Sequence, residues 1–175
     1  MTLVIAHRGN SSAAPENTFA SFDSAIAHGV TLVECDVQMT ADGHIVVIHD
    51  PTLDRTSDRA GDVRALSLAD LRAADVSYPK VFGAAFSPQR VPTLGELLAH
   101  LKGRARLMLE IKKESSLPDR DDFERRIAAE IVKSGVHVSP DTETDVALLS
   151  FSTPILERMA AILPDAPRGH LFYRE

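Results

Sequence analysis

The sequence predicts an α/β fold built on a parallel sheet. Short apolar or β-branched runs alternate with amphipathic segments of 3.6-residue period along its 175 residues. Such strand–helix–strand repetition is the pattern of right-handed crossovers between parallel strands. The longest uninterrupted apolar runs, such as 3–6 and 45–48, fall far below the roughly 20 residues that a membrane-spanning helix needs, so none is expected.

Leu3 to His7 reads as a buried first strand, followed by a Gly/Asn/Ser/Pro loop through Pro15. A helix follows with Phe19, Phe22, Ile26 and Val30 on one face, Asn17 as its N-cap and Gly29 as its stop. Thr31 to Val37 is a second strand. The Asp42-Gly43 turn leads into a β-branched third strand, Ile45 to His49. Residues 51–92 are rich in Asp, Arg, Ser, Pro and Gly and read as an excursion, helical only from Ser67 to Ala74 with Ser67 as cap. Thr93 to Leu101 opens with a Thr-x-x-Glu capping box, and Arg106 to Lys112 returns to strand. The last elements are a helix over Asp121 to Gly135 with Phe123, Ile127, Ile131 and Val132 on its apolar side, a strand Val146 to Phe151, a helix Pro154 to Leu163, and a sixth strand Arg168 to Tyr173. An open doubly wound sheet and a closed barrel both fit this pattern.

A chain of this length suits one domain of about 100–200 residues. With 44% hydrophobic and 25% charged residues, and only nine glycines and ten prolines, it excludes collagen-like and disordered classes. One cysteine, Cys35, forms no internal disulfide, and Met1 to Ile5 lack the basic start of a secretion signal. A cytoplasmic location is the expectation. The formal charge of −6 would repel a nucleic-acid backbone, so no nucleic-acid partner is expected.

Glu34 and Asp36 sit two apart in an apolar strand, so both carboxylates point to one face while Val33, Cys35 and Val37 point to the other. Solvated acids on an emerging strand would be one explanation. A hard divalent cation relieving their repulsion is the other. Glu110, inside the apolar strand 107–112, brings a third carboxylate and favours the metal. His7 and His49 each end an apolar run, at the edge where parallel α/β folds place acid–base groups. Arg8 and Lys112 add positive charge suited to a phosphate, and Gly9 permits a sharp turn after Arg8. Together these residues fit metal-assisted cleavage of a phosphate ester. Cys35 points away from the acid face, so a cysteine nucleophile is not expected.

The motifs Ala6-His7-Arg8-Gly9, Pro15-Glu16-Asn17-Thr18, Glu34-x-Asp36, Asp42-Gly43, Val47-Ile48-His49-Asp50, Leu53-x-Arg55-Thr56, Pro92-Thr93-Leu94 and Glu110-Ile111-Lys112 occur in this order. In them the chain resembles the glycerophosphodiester phosphodiesterases over about residues 4 to 112, and Leu149-Ser150-Phe151 extends the likeness. The resemblance implies a TIM-type (β/α)8 barrel that cleaves glycerophosphodiesters, such as glycerophosphocholine or glycerophosphoethanolamine, to glycerol 3-phosphate and an alcohol. It implies Glu34, Asp36 and Glu110 as ligands of Ca2+ or Mg2+, His7 and His49 as the acid–base pair, and Arg8 and Lys112 at the phosphate. Residues 51–92 would be the small insertion after the third strand, within one domain spanning 1–175. A barrel of this type takes about 250 residues, so about six strands of a C-terminally shortened barrel are expected. Self-association would then cover the open edges, and a catalytically silent binding or assembly domain and a phospholipase D-like enzyme are the alternative readings.

Overall fold

The computed structural model describes residues 3–112, 122–141 and 143–173; the predicted helix start at Asp121 lies outside them. The chain has the α/β architecture expected of part of a TIM-type barrel, one six-stranded sheet with helices packed against it. Its strands are β1 (Ala6–His7), β2 (Leu32–Met39), β3 (Ile45–Val47), β4 (Arg106–Ile111), β5 (Val146–Ser150) and β6 (Arg168–His170). The helices are α1 (Phe19–Ala27), α2 (Leu68–Arg72), α3 (Pro79–Phe82), α4 (Leu94–Leu101), α5 (Phe123–Ser134) and α6 (Thr153–Ile162). Strands β1, β2, β4, β5 and β6 pair in that order, all parallel.

The third strand departs from the parallel rhythm. β3 runs antiparallel to β2 as a hairpin, with Val37 opposite Val47 and Met39 opposite Ile45, because the short Asp42-Gly43 turn, with Gly43 at φ +83°, reverses the chain directly. It therefore folds back beside β2 rather than extending the parallel series, and carries His49 back toward the level of Asp36, whose carbonyl accepts the Ile48 N–H at 3.0 Å.

Helix α1 begins one residue later than the sequence suggests. Thr18 is the N-cap, with its hydroxyl accepting the Ser21 N–H, because the Asn17 amide is committed elsewhere. Helix α4 has the expected Thr93/Glu96 capping box, and its Leu94, Leu97, Leu98 and Leu101 all lie on the buried stripe. Each such leucine contributes about 1.5–3 kcal/mol by leaving water. On α5, Phe123, Ile127 and Ile131 are buried at four-residue spacing. Val132, expected beside them, is 68% exposed, because it sits one position round the helix from that stripe.

These helices pack with Val33, Cys35, Val37, Leu107, Leu109 and Leu148 of the sheet into the main core. Val46, Ile48, Leu53, Val63, Leu71 and Val91 form a second, smaller core that anchors the excursion. The first strand is shorter than expected: Leu3, Val4 and Ile5 precede β1 and are 59%, 60% and 44% exposed. β1 pairs only with β2, and no strand among the described residues lies on its other side to cover them.

Candidate functional site

Sheet register assembles the acids. His7 on β1 lies opposite Glu34 on β2, and Asp36 lies opposite Glu110 on β4. Glu34, Asp36 and Glu110 are 6%, 0% and 7% exposed, and each offers an oxygen within 4.8 Å of the others'. Three carboxylates this close and this dry need positive charge.

Two cations supply part of it. Lys112 Nζ lies 2.7 Å from Asp36 Oδ1 and 2.5 Å from Glu110 Oε1, and Arg8 Nε lies 3.3 Å from Asp36 Oδ2. Burial alone would lower the Lys112 amine, but Asp36 and Glu110 outweigh it and hold the amine above its ordinary value. Glu34 receives less help. Its Oε2 accepts the Arg8 backbone N–H at 3.0 Å, while Oε1 is buried and has no hydrogen-bond partner among the described residues. Burial first, and then repulsion from Asp36, push the Glu34 carboxyl up to about 8. An orphaned carboxylate oxygen beside two further acids fits a hard divalent ion such as Ca2+ or Mg2+, which takes oxygen ligands.

The loop after β1 is bent sharply to reach this site. Arg8 and Gly9 both have left-handed φ, +57° and +76°. A non-glycine residue held there is strained, as is common at ligand-binding turns. At Gly9 an added Cβ would come within 2.7 Å of the Ser21 backbone. Gly9→Ala is therefore expected to destabilise the fold by more than about 1 kcal/mol in urea denaturation, since it adds a clash to the conformational strain.

His7 lies 3.8 Å from Glu34 Oε2 by its Nε2 atom and is largely exposed. Partial burial and then the Arg8 charge lower its pKa below 6.5. His49 Nδ1 lies 2.6 Å from Asp50 Oδ1. The Gln38 amide on β2 donates to the carbonyls of Ile48, His49 and Asp50 at 3.4, 2.9 and 2.6 Å, tying that segment to the sheet. All seven predicted site residues thus lie at or beside one edge of the sheet, and Cys35 is buried in the core as expected. A cleft of about 390 Å³ reaches His49, Glu110 and Lys112, with the stacked Phe151 and Tyr173 rings on its wall. A larger cavity of about 700 Å³, between α4, α5 and the β2–β3 turn, contains none of these groups.

Sequence reasoning assigned no role here to Glu16, Asn17, Gln38, Asp50 or Arg55. Asn17 Nδ2 donates to Asp36 Oδ2 at 2.9 Å, which fixes the central carboxylate and explains why Asn17 is buried rather than capping α1. Arg55 NH1 and NH2 both reach Glu16, at 2.7 Å, across 39 residues of sequence. No periodic spacing announces a contact of that kind. The motif likeness around both residues was the only available signal.

The described pattern of the "Glycerophosphoryl diester phosphodiesterase family" matches residues 7–175. A "Glycerophosphodiester phosphodiesterase" of Caldanaerobacter subterraneus is 43% identical over 116 residues, covering 66% of this chain and 46% of the relative. A crystal structure of glycerophosphodiester phosphodiesterase from Agrobacterium tumefaciens superposes with a TM-score of 0.80 at 34% identity, over 96% of this chain and 66% of that one. An Oleispira antarctica phosphodiesterase in complex with sn-glycerol-3-phosphate superposes with a TM-score of 0.79 at 32% identity, over 97% and 66%. The chain thus spans about half the length of the first of these and about two thirds of the solved chains.

Proposed function

The chain belongs to the glycerophosphoryl diester phosphodiesterase family, and on that premise we propose that it hydrolyses glycerophosphodiesters to glycerol 3-phosphate and an alcohol with the aid of a divalent metal. The observation that carries this reading is the buried Glu34, Asp36 and Glu110 set with its under-compensated charge, flanked by His7, His49, Arg8 and Lys112. Glycerophosphocholine and glycerophosphoethanolamine are the proposed substrate class, and the whole chain is read as one domain with 51–92 inserted beside the site. The single buried thiol suits a reducing cytoplasm, and among the described residues no helix is long and apolar enough to cross a membrane.

Glu34, Asp36 and Glu110 would hold Ca2+ or Mg2+, which when bound polarises the phosphoryl oxygen and neutralises developing charge. Arg8 and Lys112 would turn from the acids to the phosphate oxygens and orient the diester. His7, whose neutral form is favoured by partial burial and the Arg8 charge, takes the proton of the attacking oxygen. His49 gives a proton to the leaving alcohol.

Calorimetric titration with Ca2+ and Mg2+, together with glycerol 3-phosphate release from glycerophosphocholine with and without EDTA, tests this reading. Saturable metal binding and release that EDTA stops and added metal restores are expected. Turnover indifferent to EDTA would overturn the metal assignment. A second reading, a silent assembly domain, is favoured by the outer edge of β1, unpaired among the described residues, beside exposed Leu3, Val4 and Ile5; metal binding without turnover, in a dimer or larger species, would support it.

A further inference from the structure

A second charged chain runs beside the three acids and meets them at Arg8. His49 Nδ1 meets Asp50 Oδ1 at 2.6 Å, and Arg55 Nε meets Asp50 Oδ2 at 2.6 Å. Arg55 NH2 also reaches Asp50 Oδ1 at 3.1 Å, so the guanidinium grips both carboxylate oxygens. The far side of Arg55 is held by both oxygens of Glu16, and its guanidinium carbon lies 5.5 Å from the centre of the Tyr78 ring. Glu16 Oε1 in turn accepts from Arg8 NH1 at 3.0 Å. The links alternate in sign and join the β1–α1 loop to the excursion after β3.

From this geometry we infer that Asp50, clamped by Arg55 and Glu16, is a positioning residue that fixes the tautomer of His49, with the proton on Nδ1 and Nε2 presented to the reaction. An ionised carboxylate has only acceptors, so a ring nitrogen 2.6 Å from it must be the donor. Hydrogen bonds from Arg55 and His49 overcome the effect of burial and hold Asp50 down at about 2, which keeps it ionised wherever the protein would work. Arg55 presents a planar fork to each of two carboxylates and cannot rotate without losing several hydrogen bonds. The role in the reaction rests on the proposed function. A His49 that has given its Nε2 proton to a leaving oxygen is left as the Nδ1–H tautomer, which Asp50 already holds, so the ring need not turn between steps.

The test is the His49 signal in long-range 1H–15N correlation spectra of the 15N-labelled chain, recorded above its titration and assigned with His49→Gln. Wild type is expected to show the Nδ1–H tautomer. Asp50→Asn, whose amide can donate to Nδ1, is expected to bring in the Nε2–H form, and Arg55→Gln to do so in part. A wild-type His49 that is mainly Nε2–H would overturn the inference even if neither variant folds. So would folded variants with the wild-type pattern. In the turnover assay Arg55→Gln is expected to lower kcat on the order of 10-fold with KM little changed, and Arg55→Lys to recover part of the loss. A wild type without turnover would count against the proposed reaction and leave the tautomer result to decide this inference alone.

Discussion

Asp36→Asn is expected to remove measurable Ca2+ and Mg2+ binding and, with it, turnover. Asp36 is the middle acid: fully buried, opposite Glu110 across the sheet, and in contact with Arg8, Lys112 and Asn17. The substitution keeps the shape but removes the middle negative charge of the proposed ligand set. Two effects on the fold oppose one another. Breaking a buried ion pair typically costs about 3–5 kcal/mol, because a charge is left without its partner. Here Lys112 retains Glu110 and Arg8 retains Glu16, while Glu34 loses one source of the repulsion that raises its pKa. The net loss of stability should therefore fall below that range. The measurement is a pair of thermal melts with and without metal. At a metal concentration about 100 times its dissociation constant, wild type gains about 2.7 kcal/mol. The variant should gain none, and an undiminished metal-dependent shift in Asp36→Asn would remove Asp36 from the ligand set.

The acids were legible because a strand alternates. In 33–37 only the odd positions are apolar, and a two-residue period is enough to put Glu34 and Asp36 on the same face. Parallel order then brings Glu110 beside Asp36, which the register bears out. The direction of β3 was not legible in the same way. A β-branched run after a short turn can enter a crossover or fold back, and the antiparallel choice lies in the hairpin geometry at Gly43. The first strand misled for a related reason: Leu3 to Ile5 has the composition of a buried strand, but burial depends on a neighbour, and composition does not name one. Asn17 shows a third limit. A cap preference is local, and the hydrogen bond to Asp36 comes from a residue 19 positions away. What remained hidden was long-range polar pairing, which carries no period.

His7→Ala is expected to lower kcat by about 10²–10⁴-fold, the range for a positioned acid–base group, while leaving metal binding intact because His7 is not among the three acids. The pH dependence gives the assignment its sign. Partial burial disfavours the charged ring, and the positive charge of Arg8 adds to that, so His7 titrates below 6.5. A divalent ion held by Glu34, 3.8 Å from the His7 ring, would push in the same direction. A base works in its neutral form, so a lowered pKa extends its active range toward acid. The wild-type kcat/KM should therefore rise with pH through a midpoint below that of an ordinary histidine. In His7→Ala that limb should vanish and leave a low, flatter profile. His7→Gln preserves a polar side chain without a titrating one, so it should behave like the alanine variant if proton transfer is what His7 provides. A glutamine variant near wild-type rate, or a rising limb that persists in His7→Ala, would transfer the base to another group.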